Sequence, residues 1–139
     1  MAEEWPGAER LAGLRAEVAA AAGGRAAAEV AVAAAPFRVC PLGAHVDHQG
    51  GLTTAAAVDS GILLAFLPEV GGRVRLRSRN YAGECEFPAA APPPRDAPGT
   101  GAGEEAFWGH YARGAAFALL RRGYVLERGV VGVLAALQL

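Results

Sequence analysis

The chain has 139 residues, 53% of them hydrophobic, which fits one domain with a core and excludes disorder throughout. A formal net charge of -1 and a pI near 6.3 exclude a general electrostatic pull toward nucleic acid or an anionic membrane, so any partner must be recognised locally. All 13 side chains counted as Lys or Arg are arginines, which excludes a phosphate-loop lysine and a Schiff base.

Cys40 and Cys85 are too few for a disulfide framework and are not spaced as zinc ligands, so reduced thiols in a cytoplasmic protein are expected. Glu3, Glu4 and Glu9 argue against a secretory or transit leader. No run of about 18 apolar residues exists to span a membrane.

In chain order, Ala8 to Ala22 carries Leu11, Leu14 and Val18 at helical spacing and ends at Gly23-Gly24, which predicts an amphipathic helix. From Glu29 to Val39 valines and alanines alternate, which predicts a strand that ends at Pro36 and enters a polar loop. Leu52 to Leu67 reads as buried strand structure after the break at Gly50-Gly51. Arg73 to Arg79 alternates with period two, placing Val74 and Leu76 on one face and four arginines on the other. Without interleaved aromatics that stripe predicts a solvated strand face and not a polyanion site.

Pro88 to Gly103 is a mobile Pro/Ala/Gly-rich loop by composition. Glu104 and Glu105 open a second helix that Arg121, Arg122 and Gly123 close, with Phe107, Trp108, Tyr111, Ala115 and Leu119 on its face. Gly129 to Leu139 predicts a core strand with no return element after it. Such a strand is expected to present an unpaired, aggregation-prone edge.

The loop from Pro36 to Gly51 gathers Arg38, His45, Asp47 and His48 among turn formers. Three readings of these residues stand. His45, Asp47 and His48 are a possible metal ligand set, although an extended segment would put His48 on the face opposite His45 and Asp47. Arg38 and Asp47 as an ion pair, with the histidines capping a turn, is the structural alternative. The third reading is a polyol site, in which Asp47 accepts from neighbouring ring hydroxyls, Arg38 stabilises charge on the attacking oxygen or a transferred phosphoryl group, and Gly50 and Gly51 let the backbone approach the ligand.

The loop resembles the first signature of the galactokinase branch of the GHMP sugar kinases, Pro-Gly-Arg-Val-Asn-Leu-Ile-Gly-Glu-His-Thr-Asp-Tyr-Asn-Gly-Gly. The resemblance implies that Arg38 promotes attack of the anomeric hydroxyl on the γ-phosphate of ATP, that Asp47 holds ring hydroxyls, and that His45 faces the C6 end of the sugar. Departures fall at Phe37, Cys40, Ala44 and His48-Gln49. Where the family has a glutamate near C6, Ala44 removes a charge that would repel a uronate carboxylate by roughly 1 kcal/mol in water and about 4 near a protein surface at 4 Å. His45 and His48 then supply donors or positive charge to that carboxylate, and the loop is similar to that of the galacturonokinases.

Trp108-Gly109-His110-Tyr111-Ala112-Arg113-Gly114 resembles the family's Trp-x-x-Tyr-x-x-Gly helix, which implies that Trp108 and Tyr111 border the nucleotide base. By spacing alone the same residues read as a core helix. The fold implied is α+β, the N-terminal GHMP kinase domain of the ribosomal protein S5 domain 2-like type, a mixed sheet with helices on one side, here incomplete at its C-terminus. Residues 1–28 would be a helical extension and residues 29–139 a partial domain. The family's phosphate-cradling Gly-Leu-Ser-Ser-Ser-Ala loop and its base are not found in the 139 residues, so ATP and Mg²⁺ are implied by resemblance only. The expectation is part of a galacturonate 1-kinase, not competent alone, from a truncated gene model, a splice product or a degraded paralogue. A non-catalytic sugar-binding or regulatory fragment and a metal-binding domain are the alternatives. A small sugar acid is the expected partner, with no nucleic acid and no membrane.

Overall fold

The structure, a computed structural model, describes residues 5–94 and 108–136, the side chain of Asp47 excepted. Helix α1 spans Ala8–Ala21 and buries Leu14, Val18 and Ala19. It ends where Gly24 N–H donates to Ala19 and Gly23 N–H to Ala20, a pair of bonds that satisfies carbonyls the last turn leaves open. Five strands follow: β1 Ala31–Leu42, β2 Thr54–Glu69, β3 Arg73–Ser78, β4 Glu84–Pro88 and, after helix α2 at Gly109–Arg121, β5 Gly129–Ala136. They form one mixed sheet in the order β1-β2-β5-β3-β4, antiparallel except for the β3–β5 pair.

Alternation along the strands splits the core into two layers. Leu63, Ala65 and Leu67 of β2 join Val131, Val133 and Ala135 of β5 beneath Leu14 and Val18 of α1. Residues of opposite parity, with Val74 and Leu76 of β3 and Cys85 and Phe87 of β4, pack on the other face against Ala112 and Ala116 of α2. Helix α2 thus lies on one side of the sheet and α1 covers the other, so the helices are not confined to one side as the sequence reading expects.

Several expectations change. Strand β1 does not end at Pro36 but runs through Pro36 and Pro41 to Leu42. It is an edge strand, where a missing backbone donor breaks no central ladder. Strand β2 begins at Thr54, leaving Leu52 96% exposed in the loop before it. Gly61 lets the two strands close up, because a Cβ there would lie 2.3 Å from the Ala35 carbonyl oxygen and 2.7 Å from Pro36 Cα.

The largest correction concerns β5, which is no unpaired edge. It lies at the centre of the sheet, antiparallel to β2 from Ile62 to Glu69 and parallel to β3 from Val74 to Ser78. The buried stripe of α2 is also not the predicted one. Gly109, Arg113 and Ala116 are buried, whereas Tyr111, Ala115 and Leu119 are exposed. The predicted opening at Glu104 and Glu105, Phe107, most of the Pro88 to Gly103 loop and Leu137 to Leu139 lie outside the described residues.

The arginines of β3 are spent on neighbouring carboxylates. Arg73 donates to Glu86 at 2.6 Å, Arg75 to Glu69 at 2.8 Å and Arg77 to Glu84, while Arg79, just past the strand, reaches Glu17 of α1 at 2.7 Å. Exposed pairs of this kind each contribute about 0–1 kcal/mol, so they neutralise the stripe more than they stabilise it. No helix among the described residues is long and apolar enough to cross a membrane.

Candidate functional site

The second half of β1 carries Arg38 and Cys40, and it pairs with β2 out of step with the first half. The register slips between Pro36 and Arg38 and again between Val39 and Leu42. Such irregularities bend an edge strand and re-aim its side chains. Beyond Leu42 the chain turns at Gly43, whose φ is 80°, and a Cβ there would lie 2.3 Å from the Leu52 carbonyl oxygen. Only glycine meets both demands.

Residues 44–49 are not extended, so the alternation argument that separated His48 from His45 and Asp47 does not apply. Val46 N–H donates to Gly43 at 3.2 Å, a short 3-10 helix spans Asp47–Gln49, and the Val46 carbonyl accepts from both Gln49 and Gly51, at 3.1 and 2.9 Å. Gly51 packs against Val46, where a Cβ would meet the valine side chain at 2.6 Å. Gly51 thus closes the loop, and Gly50 takes its φ of 74° on the exposed side.

A cavity of about 220 Å³ opens between the end of β1 and the start of β2, lined by Arg38, Cys40, Gly43, Ala44, Thr53 and Ala55. Arg38 and Ala44 thus share one wall. His45 and His48 are exposed and outside that lining, and His48 Nε2 lies 3.1 Å from the Gln49 side-chain nitrogen. Asp47 sits in the 3-10 turn, with its side chain outside the described set. The sequence marks Cys40 only as a thiol and a departure from the family loop, and assigns neither Thr53 nor Ala55 to the site. Cys40 was accessible to that reasoning, since it stands two residues after Arg38 on a strand; Thr53 and Ala55 depend on the β1–β2 pairing.

The described lining holds one guanidinium, one thiol and one hydroxyl, with no carboxylate. That set can donate to an anion or a polyol. Among the described residues no three His, Cys, Asp or Glu side chains gather to hold a metal ion, and the side chain of Asp47 lies outside that set.

Trp108 and Tyr111 meet at a second cavity, of about 490 Å³, which they line with Tyr81 and Ala82. Trp108, at the start of α2, packs partly into the core and donates its indole N–H to the Ala82 carbonyl at 3.4 Å. Tyr111, 77% exposed, is directed away from that core.

The mixed sheet with α2 on one face is the N-terminal domain fold of a GHMP sugar kinase. In overall fold the chain matches a Lactococcus lactis galactokinase solved with galactose, with a TM-score of 0.68 over 87% of this chain and 28% of that one at 24% identity. In sequence it is 40% identical over 94% of its length to a galacturonokinase of Arabidopsis thaliana. It is 28% identical over 71% of its length to galactokinases of Mycobacterium bovis and Mycobacterium tuberculosis. No family model matches it. The chain is homologous to the galacturonokinases and galactokinases, and spans about a third of the length of the galacturonokinase and a quarter of the galactokinases.

Proposed function

We propose that this chain is the sugar-binding part of a kinase that transfers the γ-phosphoryl group of ATP to the anomeric hydroxyl of D-galacturonate. The observation that carries the reading is the shared wall of Arg38 and Ala44 on a cavity whose described lining has no carboxylate. In this reading the cavity takes the sugar acid. The sugar carboxylate occupies the space beside Ala44, and His45 and His48 donate to it from the rim. Asp47 accepts from vicinal ring hydroxyls, a ground-state contact.

Arg38 acts on the step itself. The anomeric oxygen attacks the γ-phosphorus, the bond to ADP breaks, and the guanidinium offsets charge that grows on the oxygens in transit. ATP is the second substrate, with Trp108 and Tyr111 beside its base. The contacts to triphosphate and Mg²⁺, and the base that takes the hydroxyl proton, are assigned to the portion of the relatives that this chain does not span. The 139-residue chain is therefore expected to bind the sugar acid without turning over ATP.

Calorimetric titration of the chain with D-galacturonate and with galactose tests the first half, and a coupled ADP-release assay the second. Binding of galacturonate in preference to galactose, without sugar-dependent ADP release, is the expected outcome. Equal affinity for the two sugars overturns the substrate assignment, and turnover by the chain alone overturns the division of labour.

A further inference from the structure

Of the side-chain donors that line the cavity at the end of β1, Arg38, Cys40 and Thr53, the first two already have a task. The Cys40 thiol donates to the Leu42 carbonyl two residues on, at 3.4 Å, where the pairing of β1 with β2 slips. In the sugar-acid reading Arg38 serves the reacting end of the sugar. Thr53 is the donor that remains, and no hydrogen bond among the described residues engages its hydroxyl. His45 and His48 lie outside the lining.

The turn opposite fixes where Thr53 stands. Leu42 pairs with Thr54, the first residue of β2, so antiparallel continuation sets Thr53 across from Gly43, the residue before Ala44. A Cβ on Gly43 would lie 3.0 Å from Thr53 Cα and 3.0 Å from its methyl carbon. The methyl group is therefore seated against Gly43, and a β-branched side chain is stiff at χ1, so seating one branch holds the other. The hydroxyl is thereby kept beside the wall that Ala44 leaves small and uncharged.

We propose that Thr53 is a specificity-determining residue of this cavity, its hydroxyl donating to the carboxylate of a hexuronate whose C6 end lies against Ala44. This rests on the sugar-acid reading above and adds a residue which that reading does not use. A carboxylate taken partly out of water needs donors, and a hydrogen bond to a charged acceptor is about twice as strong as one between neutral groups. The same hydroxyl therefore favours a uronate over a neutral hexose. Ala44 only removes a repulsion, whereas Thr53 supplies an attraction, and the two contribute separately to selectivity.

Calorimetry of the whole 139-residue chain with D-galacturonate, its uncharged methyl ester and galactose provides the test, with the thermal midpoint of each variant as the control for folding. Thr53→Val keeps the branched shape and removes the donor. It is expected to weaken galacturonate binding about tenfold while changing the ester and galactose by about threefold or less. Thr53→Ser keeps the donor and is expected to bind all three ligands nearly as the parent does. Should Thr53→Val fail to fold, Thr53→Ser against Thr53→Ala, which differ by the hydroxyl alone, gives the same comparison. An unchanged preference for galacturonate in the variant without the hydroxyl, or equal losses for the acid and its ester, overturns the role of Thr53 and leaves the sugar-acid reading standing. A folded parent chain that binds galacturonate no better than galactose overturns the sugar-acid reading and the role of Thr53 with it.

Discussion

Ala44 is the smallest change available at a wall that also carries Arg38, and its consequence is electrostatic. Ala44→Glu is expected to lower the preference of the chain for galacturonate over galactose at least tenfold, because a residual repulsion of about 1.4 kcal/mol between the new carboxylate and the sugar carboxylate is enough. The ratio of dissociation constants for the two sugars measures this, and an unchanged ratio would place the C6 end elsewhere. A second titrating group lies away from the cavity. The Arg25 guanidinium bonded to Glu29, and then the Ala26 amide at 3.2 Å, hold the Glu29 carboxyl below its ordinary range. A depressed folded-state value means the contribution is present above the ordinary carboxylate range and fades as pH falls through the folded value. Glu29→Gln should therefore lower the thermal midpoint slightly near neutral pH, and the difference from the parent should vanish in strongly acid solution.

At the scale of elements, the short-range signals were legible and the long-range ones were not. The end of α1 follows from Gly23-Gly24, and that of α2 from Gly123, where Gly123 N–H reaches Leu120 and Tyr124 N–H reaches Leu119. These are local bonds, and the local sequence determines them. Aromatic bulk does not mark the buried face of α2. The stripe that packs is small, Gly109, Ala112 and Ala116 beside the buried Arg113, which brings the helix close to the sheet and leaves Tyr111 out at the cavity rim. The candidate loop was legible as a polar cluster, but its shape was not, since the turn at Gly43 depends on Leu52 and Thr53 across the loop. Gly61 gives a test of the β1–β2 approach. Gly61→Ala pushes a methyl into the Ala35 carbonyl and should cost about 1–3 kcal/mol in a urea melt, as overpacking does. A loss below about 0.5 kcal/mol would mean that β1 gives way freely at its bulge.

For the molecule as a whole, the position of β5 reverses what its sequence alone suggests. An apolar terminal stretch without a return element reads as a loose edge whose removal should improve solubility. Instead Val131, Val133 and Ala135 pack beneath α1, Val130 and Leu134 pack with the residues against α2, and β5 alone joins the β1–β2 pair to the β3–β4 pair. The parallel partner, β3, precedes β5 by α2 and a long connection, a relation that no local pattern encodes. A chain ending at Gly123 would lose the centre of its sheet and expose Leu63, Ala65 and Leu67 of β2 together with Val74 and Leu76 of β3. Both halves would then offer unpaired strand edges flanked by apolar faces, the arrangement that promotes association. Light scattering and a thermal melt of the two lengths decide the matter: the shorter chain is expected to aggregate and to lose its cooperative transition, while the 139-residue chain keeps both solubility and transition. Equal solubility with a retained cooperative melt in the shorter chain would show that β5 is dispensable to the fold.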